Sequence, residues 1–143
     1  MLEQMFLNGK VRTWTLSQVQ PGPAGGQPLL KRVMLPQGEL AQFHDANEGI
    51  CYIASIELKA GTVRGNHYHK LKREYVYLLC GKALFVFEDL DTREREQIEF
   101  GAGNLALIEP GIAHALNVQE NGLAVEFSPT RFDPNDTYRE KLI

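Results

Sequence analysis

Apolar and polar residues alternate in short runs along most of this chain, and no stretch sustains a strong 3.6-residue period. That pattern predicts strands. Residues 11–16 (VRTWTL) alternate cleanly and read as a half-buried strand. Residues 20–28 (QPGPAGGQP) form a loop, dense in Pro and Gly. Residues 29–35 suit a strand stopped by Pro36-Gln37-Gly38, and residues 39–43 fit either a strand or one helical turn. Turn chemistry over residues 45–49 leads into a long apolar strand at residues 50–58. Residues 74–79 and 83–87 flank Gly81-Lys82 and read as a tight β-hairpin. Four further short strands follow at 97–100, 105–109, 113–119 and 124–128. Phe85, Phe87, Phe100 and Phe127 fall on these runs as core residues. Asp133 before Pro134 marks one terminal helical turn. Many short strands at this spacing indicate an all-β sandwich or barrel.

Composition narrows the picture. A chain of 143 residues suits one domain, residues 1–143, and buries roughly two thirds of its unfolded surface. The net charge is -3, and the densest basic cluster, Lys70, Lys72 and Arg73, is broken by Leu71. This argues against a nucleic-acid partner or a membrane-surface role. Cys51 and Cys80 sit in apolar runs and are expected to be buried free thiols. No basic leader precedes an apolar segment, and no run reaches membrane-spanning length, so the expectation is a soluble, cytoplasmic protein.

The chemistry is concentrated in residues 61–81, GTVRGNHYHKLKREYVYLLCG. On a strand His67 and His69 project to one face, with Tyr68 on the other. Residues 70–73 suit a solvated turn. If the strand opened by Glu74 pairs with the first, its carboxylate returns to the side of the imidazoles. Two imidazoles and a carboxylate make a site for a divalent transition metal. Farther on, the Pro110-Gly111 turn presents His114 at a strand start. His44 stands apart and reads as a surface or satisfied histidine.

The spacing Gly61, five residues, His67, one, His69, four, Glu74, six, Gly81 resembles the first conserved motif of the cupin superfamily. Gly103, seven residues, Gly111, two, His114 resembles the second, with Glu109 where that motif usually has Pro. The resemblance implies a double-stranded β-helix, the cupin jelly-roll barrel, with its metal-site core at residues 61–118. It also implies that His67, His69, Glu74 and His114 ligate one metal. Zn, Ni, Mn, Fe, Co and Cu all tolerate that set, and a six-coordinate ion keeps two positions open.

A narrower resemblance follows. Arg64-Gly65-Asn66-His67 is similar to the deoxysugar-nucleotide 3,5-epimerases and 3,4-ketoisomerases. Gly65-Asn66-His67-Tyr68-His69 is similar to the metal-binding half of a bifunctional capsular-polysaccharide enzyme that epimerises a UDP-linked keto sugar. The tail, residues 132–138, resembles the chain end in these groups. This implies an epimerase or isomerase acting on a nucleotide-linked keto sugar, with Arg64 clamping the pyrophosphate. In the metal-free relatives the histidine at the His67 position removes the proton beside the keto group. A His67 that ligates a metal has no lone pair for that role, so Glu109, near His114, becomes the candidate catalytic base. Tyr75 and Tyr77 alternate with Glu74 and face away.

Two other functions fit the same ligands: an Fe(II) dioxygenase indifferent to Arg64, and a non-catalytic metal or sugar-binding cupin. Small cupins commonly pair through a sheet edge, which implies a homodimer.

Overall fold

The computed structural model describes residues 1–23 and 25–143. Ala24, inside the expected 20–28 loop, lies outside the described residues. The strands in chain order are β1 (Leu2–Phe6), β2 (Val11–Thr15), β3 (Gln18–Val19), β4 (Lys31–Leu35), β5 (Gly38–Gln42) and β6 (Tyr52–Leu58). They continue as β7 (Val63–Tyr68), β8 (Glu74–Asp89), β9 (Arg95–Gly101), β10 (Asn104–Ile108), β11 (Ile112–Ser128) and β12 (Tyr138–Arg139). Nine of them form one curled sheet, and β3, β4 and β5 form a small second one. The fold is the expected all-β jelly roll. Among the described residues, no helix is long and apolar enough to cross a membrane.

Two long strands build both walls. The first half of β8 pairs with β10 and with the second half of β11, which also carries β6. The second half of β8 pairs with β9 and with the first half of β11, which also carries β7. The changeover falls at Gly81 and Gly122, where the register between β8 and β11 shifts repeatedly. A Cβ on Gly81, at φ +98°, would stand 2.8 Å from the Gly122 Cα, and one on Gly122 would overlap the Cys80 carbonyl. Only glycines let the two backbones cross this closely. The hairpin expected at Gly81-Lys82 is therefore a bulge inside one continuous strand, since a positive-φ glycine serves either purpose.

A second correction concerns the strands that carry the histidines and Glu74. β7 and β8 do not pair with each other, because β11 lies between them. Glu74 reaches the histidines from the opposite wall, across the barrel interior.

Phe85, Phe87, Phe100, Val76, Leu78 and Ile108 are buried between the walls. Tyr77, Leu105 and Phe127 pack on the outer side of one wall beneath Phe43 and Leu30, where the small sheet lies. Strand β1 is not among the expected strands. Leu7, Asn8 and Gly9 all have positive φ and form the turn that joins it to β2. Asn8-Gly9 was the signal for it. The ambiguous 39–43 stretch resolves as strand β5, which ends at Gln42, and the tail forms the expected turn, a 3-10 helix at Pro134–Asp136 capped by Asp133. Both cysteines are exposed, contrary to expectation.

Candidate metal centre

The fold brings His67, His69, Glu74 and His114 together, with one ligand atom from each within 4.8 Å of the others. His114 is paired directly with His67 across β11 and β7, and their rings are 4.8 Å apart. A bulge makes this possible. Ala115 pairs with Gly65 and His114 with His67, so Asn66 is skipped. Strict alternation would place Arg64 and His67 on opposite faces, and one extra residue turns both to the same side. The bulge uses left-handed backbone at Gly65 (φ +88°) and Asn66 (φ +56°). A Cβ on Gly65 would meet the His114 carbonyl at 2.7 Å, which explains the glycine.

Hydrogen bonds orient two of the rings. His69 Nδ1 donates to the Asp136 carbonyl at 2.8 Å, and His114 Nδ1 donates to the Ile112 carbonyl at 3.1 Å. A carbonyl oxygen only accepts, so each Nδ1 carries the proton and each Nε2 presents its lone pair. Glu74 Oε2 lies 3.3 Å from both Nε2 atoms. These three atoms are buried without a hydrogen-bond partner. Each buried polar group left so costs about 1–3 kcal/mol. Three such atoms aimed at one point fit a divalent cation.

The electrostatics differ among the four. Burial and the neighbouring His114 push His67 down to about 4, so it is neutral and available as a ligand near pH 7. Burial opposes charging His69, but Glu74 and the Asp136 carbonyl outweigh it and raise its pKa. Burial alone would raise Glu74, yet the His114 and His69 imidazoles hold it well below the usual carboxylate range.

Beside the four lies a pair that the sequence did not reveal. Lys72, only 4% exposed, contacts Glu126 Oε1 at 2.5 Å and sits 4.5 Å above the Tyr52 ring. Burial and the Glu74 carboxylate push Glu126 up to about 7. Glu126 and His67 both line a 70 Å³ inner cavity and a 320 Å³ groove at the barrel mouth. Tyr52 and Phe132, stacked with ring centres 5.7 Å apart, wall that groove. The only sequence signal for Glu126 was a charge on the inward parity of an apolar strand. Lys72, expected in a solvated turn, is instead buried.

Arg64 lines the inner cavity with His67, and its Nε donates to the Glu57 carbonyl at 3.0 Å. Glu109 does not join the site. Its carboxylate accepts from Arg73 Nε at 3.1 Å, while Arg73 Nη1 reaches Glu48 at 2.9 Å. Tyr75 donates to the same Glu48, and Tyr75 and Tyr77 face away from the four clustered side chains as expected. Proximity to His114 in sequence misled, because Glu109 points to the outer network. His44 packs edge-on against Tyr75 and Phe127, also outside the centre, and its Nε2 is buried without a hydrogen-bond partner, contrary to expectation.

The fold is a jelly roll with three histidines and a glutamate clustered inside it. Residues 36–138 match the polysaccharide biosynthesis C-terminal domain family, and the chain belongs to it. Similar solved structures include the Legionella pneumophila dTDP-6-deoxy-D-glucose-3,5-epimerase in complex with dTDP-4-keto-L-rhamnose. It is 12% identical with a TM-score of 0.76, over 99% of this chain and 78% of that one. A 3,4-ketoisomerase from Helicobacter canadensis is 16% identical with a TM-score of 0.68, over 78% of this chain and 86% of its own. A double mutant of the Thermoanaerobacterium thermosaccharolyticum 3,4-ketoisomerase, in complex with TDP, is 20% identical with a TM-score of 0.68. That match covers 78% of this chain and 83% of the other. At such identities the likeness establishes the fold. A search of curated proteins returned no significant match.

Proposed function

We propose that this chain is a metal-dependent epimerase or isomerase of a nucleotide-linked keto sugar, acting in polysaccharide precursor synthesis. The observation that carries this is the convergence of three partnerless ligand atoms beside a groove containing Glu126 and Lys72. Membership of a polysaccharide biosynthesis family supports the setting. Sugar-nucleotide epimerases and ketoisomerases among the similar structures support the reaction class.

His67, His69, Glu74 and His114 would hold one divalent ion, Zn, Ni, Mn, Fe, Co or Cu. Such an ion, when bound, polarises a keto oxygen as a Lewis acid. Arg64, which lines the inner cavity, holds a pyrophosphate oxygen. Tyr52 and Phe132 offer a flat apolar wall to a pyranose ring. Glu126 takes the proton from the carbon beside the keto group. The C–H bond breaks, its electron pair moves toward the carbonyl, and the charge collects on oxygen. A proton returned to the opposite face of that carbon gives epimerisation. Return to the former carbonyl carbon, with transfer of the hydroxyl proton, moves the keto group. Burial raises the Tyr52 phenol above its ordinary value, so it stays protonated and can act as the acid. We also propose that the chain pairs as a homodimer, which light scattering at monomer mass would remove.

A metal-free alternative gives the proton to His67, which burial holds neutral. The test is elemental analysis, then incubation with dTDP- and UDP-linked 4-keto-6-deoxyhexoses in D₂O. One metal per chain and deuterium gain at carbon support the proposal. Exchange that survives chelation selects His67 as base. A bound metal with no exchange selects the dioxygenase or the binding module, and neither metal nor exchange overturns the proposal.

A further inference from the structure

Residues 133–143 return along β7 and hold the backbone on both sides of its histidines. Asp136 is 6% exposed, although it is charged and sits near the chain end. Its carboxylate accepts from the backbone N–H of Lys70 at 2.9 Å, of Leu71 at 3.2 Å and of Lys72 at 3.0 Å. Three successive amides around one carboxylate form an anion nest, which fixes the turn joining His69 to Glu74. The carbonyl of the same residue accepts from His69 Nδ1. One residue thus sets both the tautomer of a ligand and the approach of the next.

The rest of the tail grips the bulge. Tyr138 and Arg139 pair with Tyr68 and His67. The Asn66 carboxamide donates to the Ile143 carbonyl at 2.9 Å and accepts from the Leu142 amide at 2.8 Å. The Asn66 carbonyl accepts from the Glu140 amide at 2.9 Å. Leu142 is buried with Val86, Ala113 and Ala115, anchoring the segment to the outer face of the wall. Asn66 is the skipped residue that turns His67 inward, so its ties to the tail stabilise that orientation.

We propose that residues 133–143 are the positioning element of the metal centre, acting through Asp136 on His69 and through Asn66 on His67. The proposal rests on the metal reading of His67, His69, Glu74 and His114. Thermodynamic linkage makes the effect reciprocal: a docked tail tightens metal binding, and a bound metal holds the tail to the same degree. Loss of such an outer partner weakens metal affinity about 10–100-fold.

The test titrates the full chain with Co²⁺ alone, reading affinity against a chromophoric chelator and the visible Co²⁺ absorption. Asp136→Ala keeps the carbonyl but strips the carboxylate that docks the tail on the 70–72 turn, and is expected to lose at least tenfold in affinity and to change the absorption bands as that carbonyl shifts from His69. Asp136→Asn keeps one acceptor oxygen and is expected to lose less. Asn66→Gly keeps the left-handed backbone, removes the side-chain ties, and is expected to weaken binding as well. Leu105→Ala, on the far side, is the control: a lower melting temperature with parental affinity and spectrum. If the folded Asp136 and Asn66 variants behave like that control, the tail has only a structural role and the proposal is overturned. A parent chain that binds no Co²⁺ overturns the metal reading itself, which separates the two failures.

Discussion

Arg73 and Glu74 are neighbours in sequence, yet they belong to opposite kinds of polar cluster. On the outer face, Arg73 bridges Glu48 and Glu109, and Tyr75 completes the network through the same Glu48. The charges have opposite partners at hydrogen-bond distance, and Glu109 and Arg73 remain about one-third exposed. On the inner face, Glu74 is almost wholly buried and has imidazoles on both sides, with one carboxylate oxygen unpartnered. A satisfied cluster needs nothing further. An unsatisfied one, held rigid by surrounding hydrogen bonds, is what the proposed metal ion would complete.

That contrast predicts unequal consequences of mutation, the largest at the inner cluster. Replacing His67 and His69 together with Ala should abolish stoichiometric metal binding and leave the strand content by circular dichroism largely intact. Unchanged metal content in that double variant would remove the ligand assignment. Next in size is Glu126→Gln, which keeps a side chain of the same shape and leaves all four ligands in place. It should retain the metal but lose about 10²–10⁴-fold in substrate deuterium exchange. Exchange at the parental rate would exclude Glu126 as the proton carrier.

A pH series sharpens the same assignment. The Glu126 carboxyl stands at about 7 in the folded chain, against an ordinary 4.5. Between those values the folded state keeps a proton that the unfolded chain has released. This residue's contribution to stability is therefore complete below about 4.5 and falls as pH rises toward 7. The His67 contribution runs the other way, since its pKa is lowered, to about 4. Only a difference measurement isolates Glu126. Melting temperatures of metal-free Glu126→Gln should rise relative to the parent across that window, and a constant gap would contradict the assignment.

How much of this was legible in the sequence follows from contact range. His67, His69 and Glu74 fall within eight residues of one another and His114 follows a marked turn, so their spacing carried the motif resemblance that implied the four together. The Lys72–Glu126 pair spans 54 residues, and its meaning depends on which half of β11 joins which wall. No local pattern carries that information. The glycines at positions 81 and 122 were visible, but a bulge and a turn need the same backbone freedom. Asp136 was visible only as part of a capped turn, because its three amide donors lie more than 60 residues earlier.

The smallest predicted effect is the one that tests the contrast most directly. Glu109→Gln removes one arm of the outer network while Arg73 keeps Glu48, so no buried charge is stranded. A partly exposed ion pair of this kind contributes about 0.2–1 kcal/mol. The variant should bind metal and exchange substrate deuterium like the parent, with a slightly lower melting temperature. A large loss of exchange with metal retained would mean that Glu109 reaches substrate after all, on a path through the turn at Pro110. The inner and outer clusters would then form one site, and partner satisfaction would no longer separate structural carboxylates from functional ones in this barrel.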